Sequence, residues 1–520
     1  MKGKKIVSTL LALLLLANLP VSALAADWDI GNGDITVNAG SGGQTVTQGS
    51  QVDVPDSAPV ITGSSTENTV TINAEKDQTA NVTLSGANID VSTKDKAAVS
   101  TTGEGNVSIE LDGDSTLKSG LNHAGLEKNN GGSLTIADED KNGKLTSEGG
   151  GYGAGIGGGN RGTGSDITIS GGEVEATGGR WSAGIGGGNR GTGSNITISG
   201  GEVEATGGTW GAGIGGGQGG SGNNITISGG KVNATGGYAG AGIGGGENGD
   251  GSDIIISGGE VKATGGSYGA GIGGGCGDSG SDITISGGEV KATGGENGAG
   301  IGGGCYRDGN NITVSGDAKL KVQGGVEDDT DGAGAGIGNG GSSAYGSQIP
   351  GAEVVPDTSG LTTGRIEYYA PGADMETDKP TSTTVGASSQ PEKPTEPIEP
   401  AEPEQPEAER GMDAPLYRVT DQNGKDIAHK VERKDGVLTV TVDADFAILT
   451  GKLSSIDTLK RQGVEKIVFV TNKVASTFQA ADLLEKGASS DAYSLTHDGA
   501  TVTFVVSEKN TDVSGILIQP

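Results

Sequence analysis

Three groups of residues in this chain have the types and the spacing to do chemistry. The first is aromatic: Tyr152, Trp181, Trp210 and Tyr268 each stand four residues before the isoleucine of an Ala-Gly-Ile motif, and Tyr238 stands one place earlier in its own unit. Rings repeated once per unit make a row, and a row of exposed rings is a platform for the apolar faces of sugar rings. The alternative is that the rings stack on one another and cover a turn. The second group is Cys276 and Cys305, the only two cysteines, at the same place in consecutive units. Stacked units about 4.8 Å apart would bring them within disulfide range, with unbridged thiols as the alternative. The third group is Asp138, Asp140 and Asn142, worded like the first half of a calcium loop. Such a loop needs a bidentate Glu at its twelfth position, where this chain has Gly149. An enlarged polar corner is therefore the preferred reading and calcium the weaker one.

Catalytic constellations are not evident. The three histidines, His123, His429 and His497, lie in unrelated segments, without a serine-nucleophile motif, a metal-binding His pair or a phosphate loop. The outward charges Glu173, Glu175, Glu202, Glu204, Lys231, Glu260, Lys262, Glu289, Lys291, Lys319 and Lys321 recur from unit to unit. An active site should break a repeat with a unique cluster. The expectation is a protein that is not an enzyme and needs no cofactor. The charged face is acidic at one end and mixed or basic at the other, and reads first as a solvated face. Asp166, Asn195, Asn224, Asp253, Asp282 and Asn311 form a further ladder, whose side chains can satisfy turn backbone.

All these positions hang on one repeated phrase. Ile156, Ile185, Ile214, Ile243, Ile272 and Ile301 recur every 29 residues, which is the mark of a stacked repeat architecture. Within a unit, Ile167 and Ile169 alternate with polar residues, then Val174 and Ala176 do, and Ala154 and Ile156 flank Gly155. Three short runs of period two, each ended by glycine, describe three strands and three corners, one coil of a parallel β-helix. Glycine at this density would destabilise a helical repeat. All four phenylalanines lie outside the regular units, as a narrow interior of Ile, Val, Leu and Ala ladders requires. The general rule for parallel crossovers makes the expected coil right-handed.

Along the chain, residues 1–25 read as a secretory signal: Lys2, Lys4 and Lys5, the apolar run Leu10 to Leu16, then Ala23-Leu24-Ala25. Residues 26–370 read as the β-helix, regular over about 150–315, with degenerate anchors at Ala97-Ala98-Val99 and Ala124-Gly125-Leu126 and a closing cap at 350–370. Residues 371–410 hold eight of the fifteen prolines interleaved with glutamates and read as a stiff, solvated, disordered linker. Residues 411–520 read as a small α/β domain of unassigned role. Its expected elements are strands at Val437 to Val442 and Ile467 to Val470, helices at Ser454 to Gln462 and Thr477 to Lys486, and a hairpin turning at His497-Asp498-Gly499. No segment after residue 25 is long and apolar enough to cross a bilayer. Acidic residues outnumber basic by 66 to 35, for a formal charge of −31. No basic patch is apparent against that excess, so a nucleic-acid partner is not expected.

The phrases Gly-Ala-Gly-Ile-Gly-Gly-Gly and Ile-Thr-Ile-Ser-Gly-Gly-Glu-Val-Lys-Ala-Thr-Gly-Gly resemble those of secreted clostridial and related Gram-positive proteins. So does Asn81-Val82-Thr83-Leu84-Ser85-Gly86 followed by Ala97-Ala98-Val99. That family is a carbohydrate-binding group with a right-handed parallel β-helix, similar in fold to polysaccharide lyases but non-catalytic. The resemblance spans roughly residues 70–340. It implies binding of plant-type or acidic polysaccharide, with calcium as an accessory, and supplies no defined binding residue. The expectation is thus a secreted, monomeric, polysaccharide-binding β-helix that meets a polysaccharide or surface glycan. The competitors are a cell-surface adhesin or structural stalk whose C-terminal domain does the binding, and a polysaccharide lyase.

Overall fold

The computed structural model describes residues 26–327, 332–344, 347–386, 417–422, 427, 429–434, 436–461, 464–484, 491–498, 501–506, 509–511 and 517–518. The signal at 1–25 and the Pro/Glu stretch from 387 to 410 lie outside the described residues. The chain divides into two compact units between Lys393 and Pro394.

The first unit is mainly β, built as a parallel β-helix with three sheets of eleven, thirteen and twelve strands. One coil shows the plan. Gly164–Ile169 belongs to the first sheet, Glu173–Thr177 to the third, and Ile185–Gly186 to the second. Each strand pairs in parallel with its equivalent one coil on, so Ile156 faces Ile185 and Val174 faces Val203. Inward positions are buried throughout: Ile167, Ile169, Val174, Ala176 and Ile185 are at most 1% exposed. Burying each Ile or Val contributes about 1.5–3 kcal/mol relative to exposure, and in-register stacking repeats that gain in every coil. The degenerate anchors join the same ladder, with Val99 facing Leu126 and Leu126 facing Ile156.

Glycine makes the corners this tight. At Gly186 the backbone has φ +127, and an added Cβ would lie 2.1 Å from the Gly215 carbonyl oxygen of the next coil. The second-sheet strand therefore ends after two residues and the chain turns at once. The Asn/Asp ladder has a related cause: Asp166, Asn195, Asn224, Asp253, Asp282 and Asn311 all sit at φ between +49 and +56. This left-handed region is tolerated by Asn and Asp better than by other non-glycine residues. The ladder residue drops out of the strand pairing, which runs Ser165 to Ser194 and then Ile167 to Ile196. Asn195 also donates through Nδ2 to Asp166 at 2.9 Å.

Both ends of the stack are irregular. At the start, Ile35–Gly40, Gly43–Gln48 and Gln51–Pro55 fold as an antiparallel extension of the second sheet. Trp28 is buried there, its Nε1 donating to Asp56 at 2.9 Å. At the other end Arg365–Tyr369 adds in parallel to Lys319–Gln323, and Ser382–Val385 then pairs antiparallel with it. The expected linker thus begins too early at 371. Residues 371–386 close the third sheet, because the last parallel strand still has an open edge to satisfy.

The second unit holds two five-stranded sheets with small helices. Val437–Val442 and Lys466–Val470 pair in parallel, and Ala492–Asp498 forms a hairpin with Thr501–Val506. The helix Leu453–Arg461 falls where the sequence placed one. The second expected helix differs: Ala475–Gln479 is a strand, and only Ala480–Leu484 is helical. Ser476 and Phe478 alternate inward against Ile467 and Phe469, a period-two pattern that local helix propensity concealed. His497 is a fully buried strand residue and not a turn residue; Gly499 lies outside the described residues.

Candidate glycan-contact row

The aromatic residues occupy the corner between the third and second sheets, and the loop at Asn160, Asn189 and Gln218 occupies the corner between the second and first. The second-sheet strand between them is two residues long, so the corners lie side by side. Backbone hydrogen bonds tie them: Asn189 N–H donates to the Tyr152 carbonyl at 3.0 Å, Gln218 to Trp181 at 2.8 Å and Glu247 to Trp210 at 2.9 Å.

On this surface the five rings follow one another along the axis, and their contacts join them as a pair and a trio. Tyr152 and Trp181 are stacked, with centroids 4.5 Å apart and planes at 11°. The Arg180 guanidinium carbon lies 4.9 Å from the Trp181 ring centroid. One face of that ring is taken by Tyr152, which leaves the other for the cation. Trp210 meets Tyr238 edge to face at 6.1 Å, and Tyr238 meets Tyr268 likewise at 4.9 Å. Tyr238 is the most open ring, 48% exposed, and the other four are half-buried. The row has two textures: a stacked, mutually covered end at Tyr152 and Trp181, and an end at Tyr238 where one ring is turned across its neighbours.

A polar column flanks the rings. Asn160 donates through Nδ2 to Asn122 at 3.0 Å, Asn189 to Asn160 at 3.2 Å, and Gln218 to Glu247 at 2.7 Å. The same column then reaches Cys276 and Cys305, which are joined by a disulfide across a Cα–Cα distance of 4.8 Å. Sequence reasoning singled out the cysteines and passed over the amides before them. The signal was present, since all six stand four residues after an anchor isoleucine.

Asp138, Asp140 and Asn142 are arranged as a turn. The Asp138 carboxylate accepts from the Asn142 and Gly143 backbone N–H groups at 3.3 and 2.9 Å, while Asp140 is exposed. Asn142 Nδ2 donates to Asp112 in the preceding coil at 3.2 Å. Among the described residues no group of three His, Cys, Asp or Glu side chains is placed to hold a metal ion.

One charged cluster breaks the repeat, just before the row. His123 Nδ1 lies 2.9 Å from Glu127 Oε2, and its Nε2 lies 3.8 Å from Asp95. Glu127 also accepts from the Ala124 N–H at 3.0 Å and from Asn129 at 2.7 Å. Lys128 is 5% exposed and donates to the Asn130 carbonyl at 2.7 Å; burial pushes its ammonium below the usual lysine range. These bonds brace the irregular coil at Leu126 internally, and the Asp95 contact reaches back to the coil before it.

A sequence model of the beta helix repeat matches residues 167–189, 196–218, 225–247, 254–276 and 283–305. No curated protein and no solved structure matches the chain. The matched description is of the repeat and carries no ligand. Five matched repeats, each supplying strands to three continuous parallel sheets, make this chain a parallel β-helix protein.

Proposed function

We propose that the β-helix is a secreted, non-catalytic polysaccharide-binding module, consistent with the resemblance to the clostridial carbohydrate-binding group. The observation that carries the reading is the juxtaposition of five rings and a column of amides on two adjoining corners. Apolar ring surface beside amide donors and acceptors is the combination that a sugar's CH face and hydroxyl groups require. Tyr238 offers the open ring, and Asn160, Asn189 and Gln218 lie along the same axis. The test is affinity electrophoresis of the purified protein against a panel of neutral and acidic polysaccharides, beside Trp181→Ala/Trp210→Ala and Tyr238→Ala variants. Retarded migration that these variants lose supports the row; retardation that survives in all of them moves the site elsewhere.

A second reading has its own observation. Tyr152 and Trp181 cover one another's faces, as rings do when they serve to brace a turn. On that reading the coils supply length as a stalk or adhesin arm, and residues 411–520 do the binding. Absence of retardation on every polysaccharide would favour it.

A further inference from the structure

The charged face of the third sheet contains a feature that net charge concealed. Lys262, Lys291 and Lys321 stand directly beside one another on three consecutive strands. Strands in a sheet are about 4.8 Å apart, and like charges in register are destabilising. Five glutamates on this face are already paired with lysines or an arginine: Glu173 and Glu175 with Lys144, Glu202 with Lys231, Glu289 with Lys319, and Glu367 with Arg365. The three-lysine row has no such partner within the sheet.

Its partner comes from the closing cap. Glu376 places its carboxylate between two of the three, 3.2 Å from Lys291 Nζ and 2.9 Å from Lys321 Nζ. Lys321 also donates to the Met375 carbonyl at 2.9 Å. The cap and the sheet together form a groove of about 500 Å³. Lys262 continues the row into that groove, exposed, with no ion-pair partner among the described residues.

The geometry points to a metal-independent anion site in this groove, in which Lys262, Lys291 and Lys321 bind a linear polysaccharide bearing one carboxylate per sugar and Glu376 is a built-in competitor for two of the three positions. It rests on the reading of the solenoid as a glycan binder, but places an acidic chain on a different face from the aromatic row. The spacing favours a glycan over an acidic peptide. An extended peptide presents same-side carboxylates about 6.6 Å apart, which falls out of step with the coils, whereas an extended two-fold polysaccharide presents same-side carboxylates on every second sugar, roughly the two-coil step from Lys262 to Lys321. The groove holds no aromatic residue, so charge and not stacking would set its affinity.

The experiment is titration calorimetry of the full chain with polygalacturonate, its fully methyl-esterified form and poly-L-glutamate, in the presence of a chelator. Wild type should bind polygalacturonate and lose it as salt is raised. Glu376→Gln should tighten binding about two- to fivefold, the scale of an exposed ion pair. Lys262→Gln should weaken it by a similar factor. Both positions are exposed, so neither change threatens the fold. The Trp181→Ala/Trp210→Ala variant should bind polygalacturonate as wild type does, which separates this site from the aromatic row. The inference is overturned by wild type that does not bind polygalacturonate, by affinity unchanged in both Glu376→Gln and Lys262→Gln, by equal affinity for the methyl-esterified polymer, or by tighter binding of poly-L-glutamate, which would assign the groove to an acidic polypeptide. Binding lost only in the Trp variant would uphold the aromatic row and sink the groove.

Discussion

Acidification should destabilise the C-terminal unit far more than the β-helix, and His497 sets the size of the effect. Its ring is fully buried, 4.5 Å between centroids from Phe469, with Nε2 2.7 Å from the Ser476 hydroxyl and Nδ1 3.3 Å from that of Thr471. No carboxylate is among these partners. Burial pushes the imidazole down from 6.5 to about 4. The folded unit therefore keeps a neutral ring over a range in which the unfolded chain takes up a proton. Stability is full above pH 6.5 and is lost progressively as the pH falls toward 4. That difference is worth about 3 kcal/mol, reached with a slope near 1.4 kcal/mol per pH unit. Marginal domains carry about 5–15 kcal/mol in all, so the loss is a large share. Peptide-resolved hydrogen exchange on the full chain reads it directly. Amides of Val437–Val442 and Lys466–Val470 should lose protection between pH 6.5 and 4 once intrinsic exchange rates are corrected. Those of the β-helix strands should change little. All three tryptophans lie before residue 211, so their fluorescence supplies an independent reading of the β-helix alone. His497→Gln should flatten the pH dependence even though it lowers stability at pH 7. A pH slope that persists in this variant, or a flat profile in wild type, would refute the reasoning.

Two further outcomes follow from the coil geometry. Reducing the Cys276–Cys305 disulfide, or replacing both residues by Ser, releases a loop closed across 29 residues and should cost about 3–4 kcal/mol by chain entropy; thermal melts with and without reductant measure it, and identical melting temperatures would speak against the bridge. Asn224→Ala places a Cβ-bearing residue without a polar side chain at φ +53 and should cost about 1–2 kcal/mol, whereas Asn224→Gly should be nearly neutral; urea melts of the two variants compare them, and equal losses would mean that the ladder's hydrogen bonds, and not its backbone, decide the choice of Asn.

Much of the fold was legible because a solenoid repeats its local rules. The period of 29, the inward Ile and Val positions and the glycine corners state in one dimension what stacking does in three, so strand, register and core follow from the text. Legibility fell where the repeat stopped. The strand Ala475–Gln479 looked helical by composition and became a strand because Lys466–Val470 needed an edge partner. Residues 371–386 looked like linker because prolines and acidic residues begin there, yet Ser382–Val385 closes the third sheet. The amide column was equally repetitive and was missed because amides in a loop invite no chemistry until rings are found beside them.

The sequence by itself determined the parallel β-helix, its three sheets and the rows of side chains along its axis, since a fixed period with alternating polarity leaves stacking as the way to bury those residues. It also determined which residues share a row: five rings, six anchor isoleucines, three lysines. Only the tertiary structure decided how the members of a row meet. Whether Tyr152 faces solvent or Trp181 depends on side-chain torsions and on the neighbouring coil. The placing of Glu376 beside Lys291 and Lys321 depends on a cap that returns from 85 and 55 residues along the chain. Periodicity fixes backbone spacing along the axis; the orientation of a ring and the approach of a distant carboxylate are set by packing, which no local pattern contains.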